Sequence, residues 1–341
     1  MKFLKKIAVA AAFAVIASVQ TAAFADFTDM PGGEMGTALQ NAVDNGLITG
    51  IDENTIAPND FITRAQMATI ITRAFGAVNE ADISFPDISD DAWYRESVKK
   101  AVAMSAFKGD ENGNFNPENS ITFQETYTVL SRVFYLEPYK IKYSSGKVEE
   151  LYSVDDSAIA AFSDRDQVAD WAKTYTESVV ANGGWNGIDG KLKPTDNITR
   201  GEFALIMDAI VETYIDEAGT YENLPDGLTV VRTGGVTIKN LNTDKNLILS
   251  YGIDEKGCTV TDSEVKGATI VLGGANPVEK KDPKTGETFL DAGDKAYIVL
   301  KGGHFSDVRA KAPYVSIDLS GTSCTHVWTD KYTLVALGTI K

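Results

Sequence analysis

The sequence predicts a multi-domain fold in two parts: an all-α region made of three copies of one helix–loop–helix unit, then an all-β region. A register of Asp, Pro and a closing residue runs Asp29, Pro58, Arg64, then Asp87, Pro117, Phe123, then Asp164, Pro194, Arg200. The Asp-to-Pro interval holds to within one residue and the Pro-to-closing interval is identical, which marks an internal repeat of stacked units. From about Leu224 the helical periodicity stops, and short β-rich runs punctuated by glycine take over.

Residues 1–25 precede the repeats and carry Lys2, Lys5 and Lys6, an apolar run from Ile7 to Val19, and the small-residue exit Ala23-Phe24-Ala25. This is the pattern of a cleaved secretory signal, and the run falls short of the roughly 20 residues that span a bilayer. With 32 Lys and Arg against 48 Asp and Glu the net charge is −16, and losing the leader lysines makes the chain more acidic still. A nucleic-acid partner is therefore not expected. No later run is long enough for a membrane span in the mature chain, so retention at a surface would rest on non-covalent binding. The length exceeds one usual core and favours two domains.

Unit one (26–79), unit two (80–136) and unit three (161–218) each open on an aromatic residue two before the Asp, Phe27, Phe85 and Phe162, read as a staple. Met35, Leu39, Ala42 and Val43 follow in unit one, Trp93, Val98, Ala101 and Val102 in unit two, and Trp171, Tyr175, Val179 and Val180 in unit three. Intervals of three and four predict a first helix, with Asp90 or Asp91 and Asp170 as acidic caps. A polar turn comes next, at Gly50–Asn54, Gly109–Gly113 and Gly187–Gly190. Counted from Asp110, the loop has no Gly at its sixth position and no Glu at its twelfth, so a solvated turn is expected rather than an EF-hand. After the Pro, Thr63, Thr122 and Thr199 stand three residues before Gln66, Glu125 and Glu202, the capping-box arrangement that opens a second helix. Residues 137–160, with Tyr139 and Lys140, read as an inserted surface loop between units two and three.

The aromatic-x-Asp openings and the motifs Ile62-Thr63-Arg64-Ala65-Gln66, Ile121-Thr122-Phe123-Gln124-Glu125 and Ile198-Thr199-Arg200-Gly201-Glu202 resemble S-layer homology repeats, over roughly Asp26 to Glu217. The resemblance implies a trimer-like arrangement of the three units within one chain. It also implies grooves that bind cell-wall polysaccharide, commonly bearing pyruvate ketals, and so a non-covalent envelope anchor. Arg64 and Arg200 are then the candidates for the ketal carboxylate, to which a guanidinium offers two parallel donors. Asp29, Asp87 and Asp164 would bind sugar hydroxyls, fix the groove wall or cap helices, and Trp93 and Trp171 would stack on a sugar or lie in the core. An ion pair with an acidic neighbour is the plainer reading of each Arg. Phe123 departs from the pattern, so at most two grooves are expected to hold a carboxylate.

In the β-rich region (219–341), strands are expected at Leu228–Val231, 236–238, Leu247–Leu249, 258–260, 268–272, 297–300, 314–319 and 332–337. Their spacing fits a sandwich or a solenoid, and Val236–Gly274 resembles the turns of right-handed parallel β-helix proteins, so the solenoid is favoured. Residues 280–294 read as a projecting loop. Cys258 and Cys324 leave open a disulfide or two buried thiols. No CxxC spacing or Cys/His cluster supports a metal site, and no cofactor is called for. Some β-helices cleave polysaccharides, yet no nucleophile elbow is present, and Ser105-Ala106-Phe107-Lys108 lacks the companions of a Ser-x-x-Lys enzyme. A surface anchor presenting a β-rich domain outward is the expected role; a wall-bound glycan-active enzyme and a self-associating lattice subunit are the alternatives.

Overall fold

The computed structural model describes residues 27–142, 146–151, 154–293, 295–329, 334–336 and 339–340; the expected leader, residues 1–25, lies outside them. Unit one holds helices α1 (Gly33–Asp44) and α2 (Arg64–Ala74), unit two α3 (Arg95–Ala103) and α4 (Phe123–Val133), and unit three α5 (Asp170–Ala181) and α6 (Arg200–Ile210). Each second helix opens on its expected capping box, with Thr63, Thr122 and Thr199 paired reciprocally to Gln66, Glu125 and Glu202. The acidic caps expected on the first helices do not form. The N-cap residues there are Gly32, Tyr94 and Ala169, without side-chain caps. Trp93 precedes α3 instead of belonging to it, and Ser105 lies just past the end of that helix.

The helices pair across units, α2 with α3, α4 with α5, and α6 with α1. Each first helix thus packs on the second helix of the unit before it, and the third unit closes on the first. At the centre, buried Ile62, Ile121 and Ile198 form a ring of backbone hydrogen bonds. The Ile62 amide donates to the Ile198 carbonyl at 3.0 Å, Ile198 to Ile121 at 3.0 Å, and Ile121 to Ile62 at 3.1 Å. Around the ring, the first two amides of α2 donate to Asn119 and Pro117, those of α4 to Asp196 and Pro194, and those of α6 to Asp60 and Pro58. Helix N-termini leave such donors without intrahelical partners; here each is satisfied by the proline loop of another unit.

The segment between units two and three is more than a loop. It contains an antiparallel hairpin, β1 (Tyr139–Lys142) with β2 (Val148–Leu151), and a 3₁₀ turn at Asp156–Ile159. The Tyr139 ring lies 4.0 Å from the guanidinium carbon of Arg309, itself hydrogen-bonded to Asp307, and the side chains of both are only 2 % exposed.

No linker separates the two parts: α6 runs directly into β3 (Val211–Ile215), ahead of the expected boundary at 218. The strands β4 (Gly219–Glu222), β5 (Leu228–Val231), β6 (Val236–Lys239), β7 (Asn242–Thr243), β8 (Leu247–Leu249) and β9 (Cys258–Val271) follow. Beyond a hairpin of β10 (Val278–Lys281) and β11 (Thr288–Asp291) come β12 (Ile298–Ala310), β13 (Ser316–Asp318), β14 (Ser323–Thr329), β15 (Leu334–Ala336) and β16 (Thr339–Ile340). Outside the hairpins the strands pair in parallel, in three ladders. One joins β3, β5, β8 and the ends of β9, β12 and β14. A second joins β4, β6, the starts of β9 and β12, β13 and β15. The third joins β7, the middles of β9 and β12, β14 and β16.

The expected strands 258–260 and 268–272 are therefore parts of one longer strand, β9, the strand expected at 297–300 is the start of β12, and the expected projecting loop is the β10–β11 hairpin, which exposes Val278, Phe289 and Leu290. In the first ladder Val230, Ile248 and Ile270 share one apolar cluster with the helical units, while Val231, Leu249 and Val271 face a second cluster inside the β part. The junction is polar as well as apolar. Ser250 Oγ donates to the Phe75 carbonyl at 2.7 Å, and Asn246 Nδ2 donates to those of Phe134 and Tyr135 at 3.1 and 3.2 Å. Arg232 donates to Asn45 and Lys245 to Asn182. The β part thus caps helix C-termini and is not a module held outward on a tether.

Cys258 and Cys324 are free and buried in different ladders, so the disulfide alternative is not realised. Burial pushes their thiols up to about 12 and about 11. Because the two parts share a core, calorimetric melting is expected to give one cooperative transition. Asn246→Ala, which leaves the Phe134 carbonyl and the Ala268 amide unpaired, is expected to lower stability by about 2 kcal/mol in denaturant titration.

Candidate functional site

Each groove starts from a strained turn. Ala57, Asn116 and Lys193, the residues before the three prolines, adopt left-handed φ of 54°, 58° and 53°, which costs a non-glycine residue roughly 1–2 kcal/mol. The repeated Asp holds this shape. Asp29 accepts from the amides of Ile56 and Ala57, both at 2.8 Å. Asp87 accepts from Phe115 and Asn116 at 2.9 and 2.6 Å, and Asp164 from Leu192 and Lys193 at 2.9 and 2.8 Å. Both carboxylate oxygens are engaged with the loop, which is why they cap no helix. Behind each loop sits the opening aromatic: a Cβ on Gly50, Gly109 or Gly187 would lie 2.5, 2.7 or 2.6 Å from the ring of Phe27, Phe85 or Phe162.

The first residue of each second helix reaches into the loop of another unit. Arg200 donates Nε to the Ile56 carbonyl at 2.8 Å and Nη2 to that of Thr49 at 2.7 Å. Arg64 donates Nε to Phe115 at 2.9 Å and Nη2 to Lys108 at 3.4 Å, with its guanidinium carbon 5.3 and 5.1 Å from the Phe107 and Phe115 rings. Carbonyls, not the acidic neighbours of the ion-pair reading, are the partners. Among the described residues Nη1 of each Arg has no hydrogen-bond partner. Burial lowers both guanidinium pKa values; nearby Glu125, Asp110 and Asp87 oppose this at Arg64, and Asp60 and Asp29 at Arg200.

The grooves are composite: Arg200 of unit three works against the loop of Asp29, and Arg64 of unit one against the loop of Asp87. Spacing within a unit could not show this exchange. Trp93 and Trp171 are 66 % and 54 % exposed, which overturns their core reading; Trp93 lies edge-on to Tyr94 at 5.3 Å.

The third groove pairs buried Phe123 with the loop of Asp164. Here the Tyr127 hydroxyl donates to the Leu192 carbonyl at 2.7 Å, the position Arg Nε fills at Ile56 and Phe115, and the Trp185 indole donates to Tyr127 at 3.1 Å. Lys193 Nζ lies 5.3 Å from the Phe123 ring centre and pairs with Glu202. Sequence reasoning missed Tyr127 and Trp185. Their signal was available: Tyr127 stands where α2 and α6 have Ala68 and Ala204, and Trp185 where the other turns have Ile48 and Phe107. Among the described residues no group of three or more His, Cys, Asp or Glu is arranged to hold a metal ion.

A model described as the S-layer homology domain matches residues 26–68, 84–126 and 161–204, one stretch in each helical unit. The chain is 32 % identical over 205 residues to a "Surface-layer 125 kDa protein" of Lysinibacillus sphaericus, covering 59 % of this chain and 16 % of that protein. It is 28 % identical over 171 residues to a "Cellulosome-anchoring protein" of Acetivibrio thermocellus, covering 48 % and 35 %. A 25 % identity to an "S-layer protein" of Bacillus licheniformis runs through 337 residues, 92 % of this chain and 36 % of that one. The chain therefore spans a minor part of these relatives' length.

Tyr127→Phe keeps the ring but strands the Leu192 carbonyl and the Trp185 N–H. It is expected to cost roughly 2 kcal/mol in denaturant titration.

Proposed function

We propose that this is an exported protein held non-covalently at the bacterial cell surface, its three helical domains binding wall polysaccharide. Anchoring at the surface is supported by the three domain matches and by the names of the similar proteins. The finer reading is that the Arg200 and Arg64 grooves each take a carboxylate of the glycan, as a pyruvate ketal supplies. One observation carries it: each guanidinium is pinned through Nε and Nη2 by loop carbonyls, and Nη1 has no partner among the described residues, so Nη1 and the second N–H of Nη2 remain as a fixed pair of donors. A planar carboxylate matches two parallel donors. Salt screens the more distant part of the acidic surface over about 10 Å. The exposed Trp93 and Trp171 supply ring faces for sugars.

For the β part we favour a parallel solenoid of the β-helix type, which the three parallel ladders support. Its β10–β11 hairpin, with Phe289 and Leu290 47 % and 45 % exposed, favours self-association in a surface layer as a second role.

Sedimentation with purified wall polysaccharide checks the proposal. Arg64→Ala and Arg200→Ala are each expected to weaken binding about tenfold, and together to abolish it, whereas Phe123→Ala leaves it intact. Full binding by the double variant, or equal binding to walls stripped of ketal groups, overturns the carboxylate reading.

A further inference from the structure

Where the ends of α3 and α4 meet the β part there is a cavity of about 610 Å³. Ser105, Arg132, Tyr135, Glu137, Tyr175 and Tyr251 line it. Two of these residues hold strained backbone. Ser105 and Tyr135 adopt left-handed φ of 59° and 55°, where unit one has Gly46 and Gly76 at 65° and 55°. The positions are equivalent by their bonds: Gly46 and Ser105 donate to Val43 and Val102, and Gly76 and Tyr135 donate to Arg73 and Arg132. Glycine occupies this conformation freely, whereas a side chain there costs free energy and an aromatic one is uncommon. Unit two bears that cost twice, and both residues line the same cavity. Strain at neighbouring positions that converge on one space points to use of that space.

The neighbouring junctions show what the cavity replaces. At the end of α1 the β part inserts Arg232 onto the Asn45 carbonyl, and at the end of α5 it inserts Lys245 onto that of Asn182. At the end of α3 the β part presents Tyr251 across open space instead.

The lining groups are mutually fixed. The Arg132 guanidinium stacks 4.6 Å over the Tyr175 ring and donates Nη2 to its hydroxyl at 2.9 Å, and the hydroxyls of Tyr251 and Tyr135 are hydrogen-bonded. Burial raises the Glu137 carboxyl, opposed by Arg132 and Lys311. Rigid aromatic faces suit the C–H face of a pyranose ring, while planar guanidinium and carboxyl groups pair with vicinal hydroxyls. The volume falls within the roughly 300–1,000 Å³ typical of small-ligand sites.

We propose that this junction cavity is a second saccharide site, separate from the Arg64 and Arg200 carboxylate positions, that takes a short uncharged sugar. It lies beside the Arg64 groove through Phe107, which lines the cavity and also contacts Arg64.

The test uses the full chain and the uncharged disaccharides of N-acetylglucosamine, glucose and galactose in saturation-transfer NMR. At least one is expected to receive saturation from the wild type. Ser105→Gly with Tyr135→Gly restores the residues of unit one and relieves strain, so it is expected to melt within a few degrees of the wild type and to lose the transfer. Arg64→Ala with Arg200→Ala is expected to keep it, which separates this inference from the carboxylate reading. Absence of transfer to all three sugars, or transfer unchanged in the double-glycine variant, overturns the proposal.

Discussion

Three backbone hydrogen bonds joining Ile62, Ile198 and Ile121 in a closed ring are the constraint on which the helical part depends. A single unit could not satisfy its second helix, because the first amides of α2, α4 and α6 find their acceptors only in the proline loops of other units. The same exchange builds the grooves: the residue that opens a helix in one unit lies against the Asp-braced loop of the next. A groove is thus a joint first and a site second. When the guanidinium is lost at Phe123, Tyr127 takes over the bond to the loop carbonyl and Trp185 supports it, so the joint survives without its charge.

The β part completes this arrangement from the opposite end. Ser250, Asn246, Arg232 and Lys245 donate to carbonyls at helix C-termini, and Val230, Ile248 and Ile270 share an apolar cluster with the helices. Whatever holds the helical part to a surface therefore fixes the orientation of the β part as well. Where this plugging gives way, at the end of α3, two residues of left-handed backbone, Ser105 after α3 and Tyr135 after α4, line a cavity.

Local chemistry was legible in the sequence, and cyclic geometry was not. The capping boxes at Thr63, Thr122 and Thr199 were readable because both partners sit within one helical turn. The Asp register was readable as a repeat with three readings, sugar contact, groove wall or helix cap; its hold on loop amides 27 to 29 residues away, which removes the helix cap, was not legible. Trp93 and Trp171 fit an apolar interval yet face solvent, since periodicity does not tell which side a partner covers. In the β part, the strand expected at 297–300 stops before Gly302 and Gly303. One strand instead runs through them from Ile298 to Ala310, with φ of 73° and 74° at the two glycines. The pairing of Arg64 with the loop of Asp87, and of Arg200 with that of Asp29, required the closed ring to be seen.

The central claim is that two joints of three offer a guanidinium, with Nη1 unpaired among the described residues, to a carboxylate. Calorimetric titration of the full chain with a purified saccharide bearing a single pyruvate ketal measures this directly. The account predicts two equivalents bound per chain; three equivalents, one, or none would contradict it.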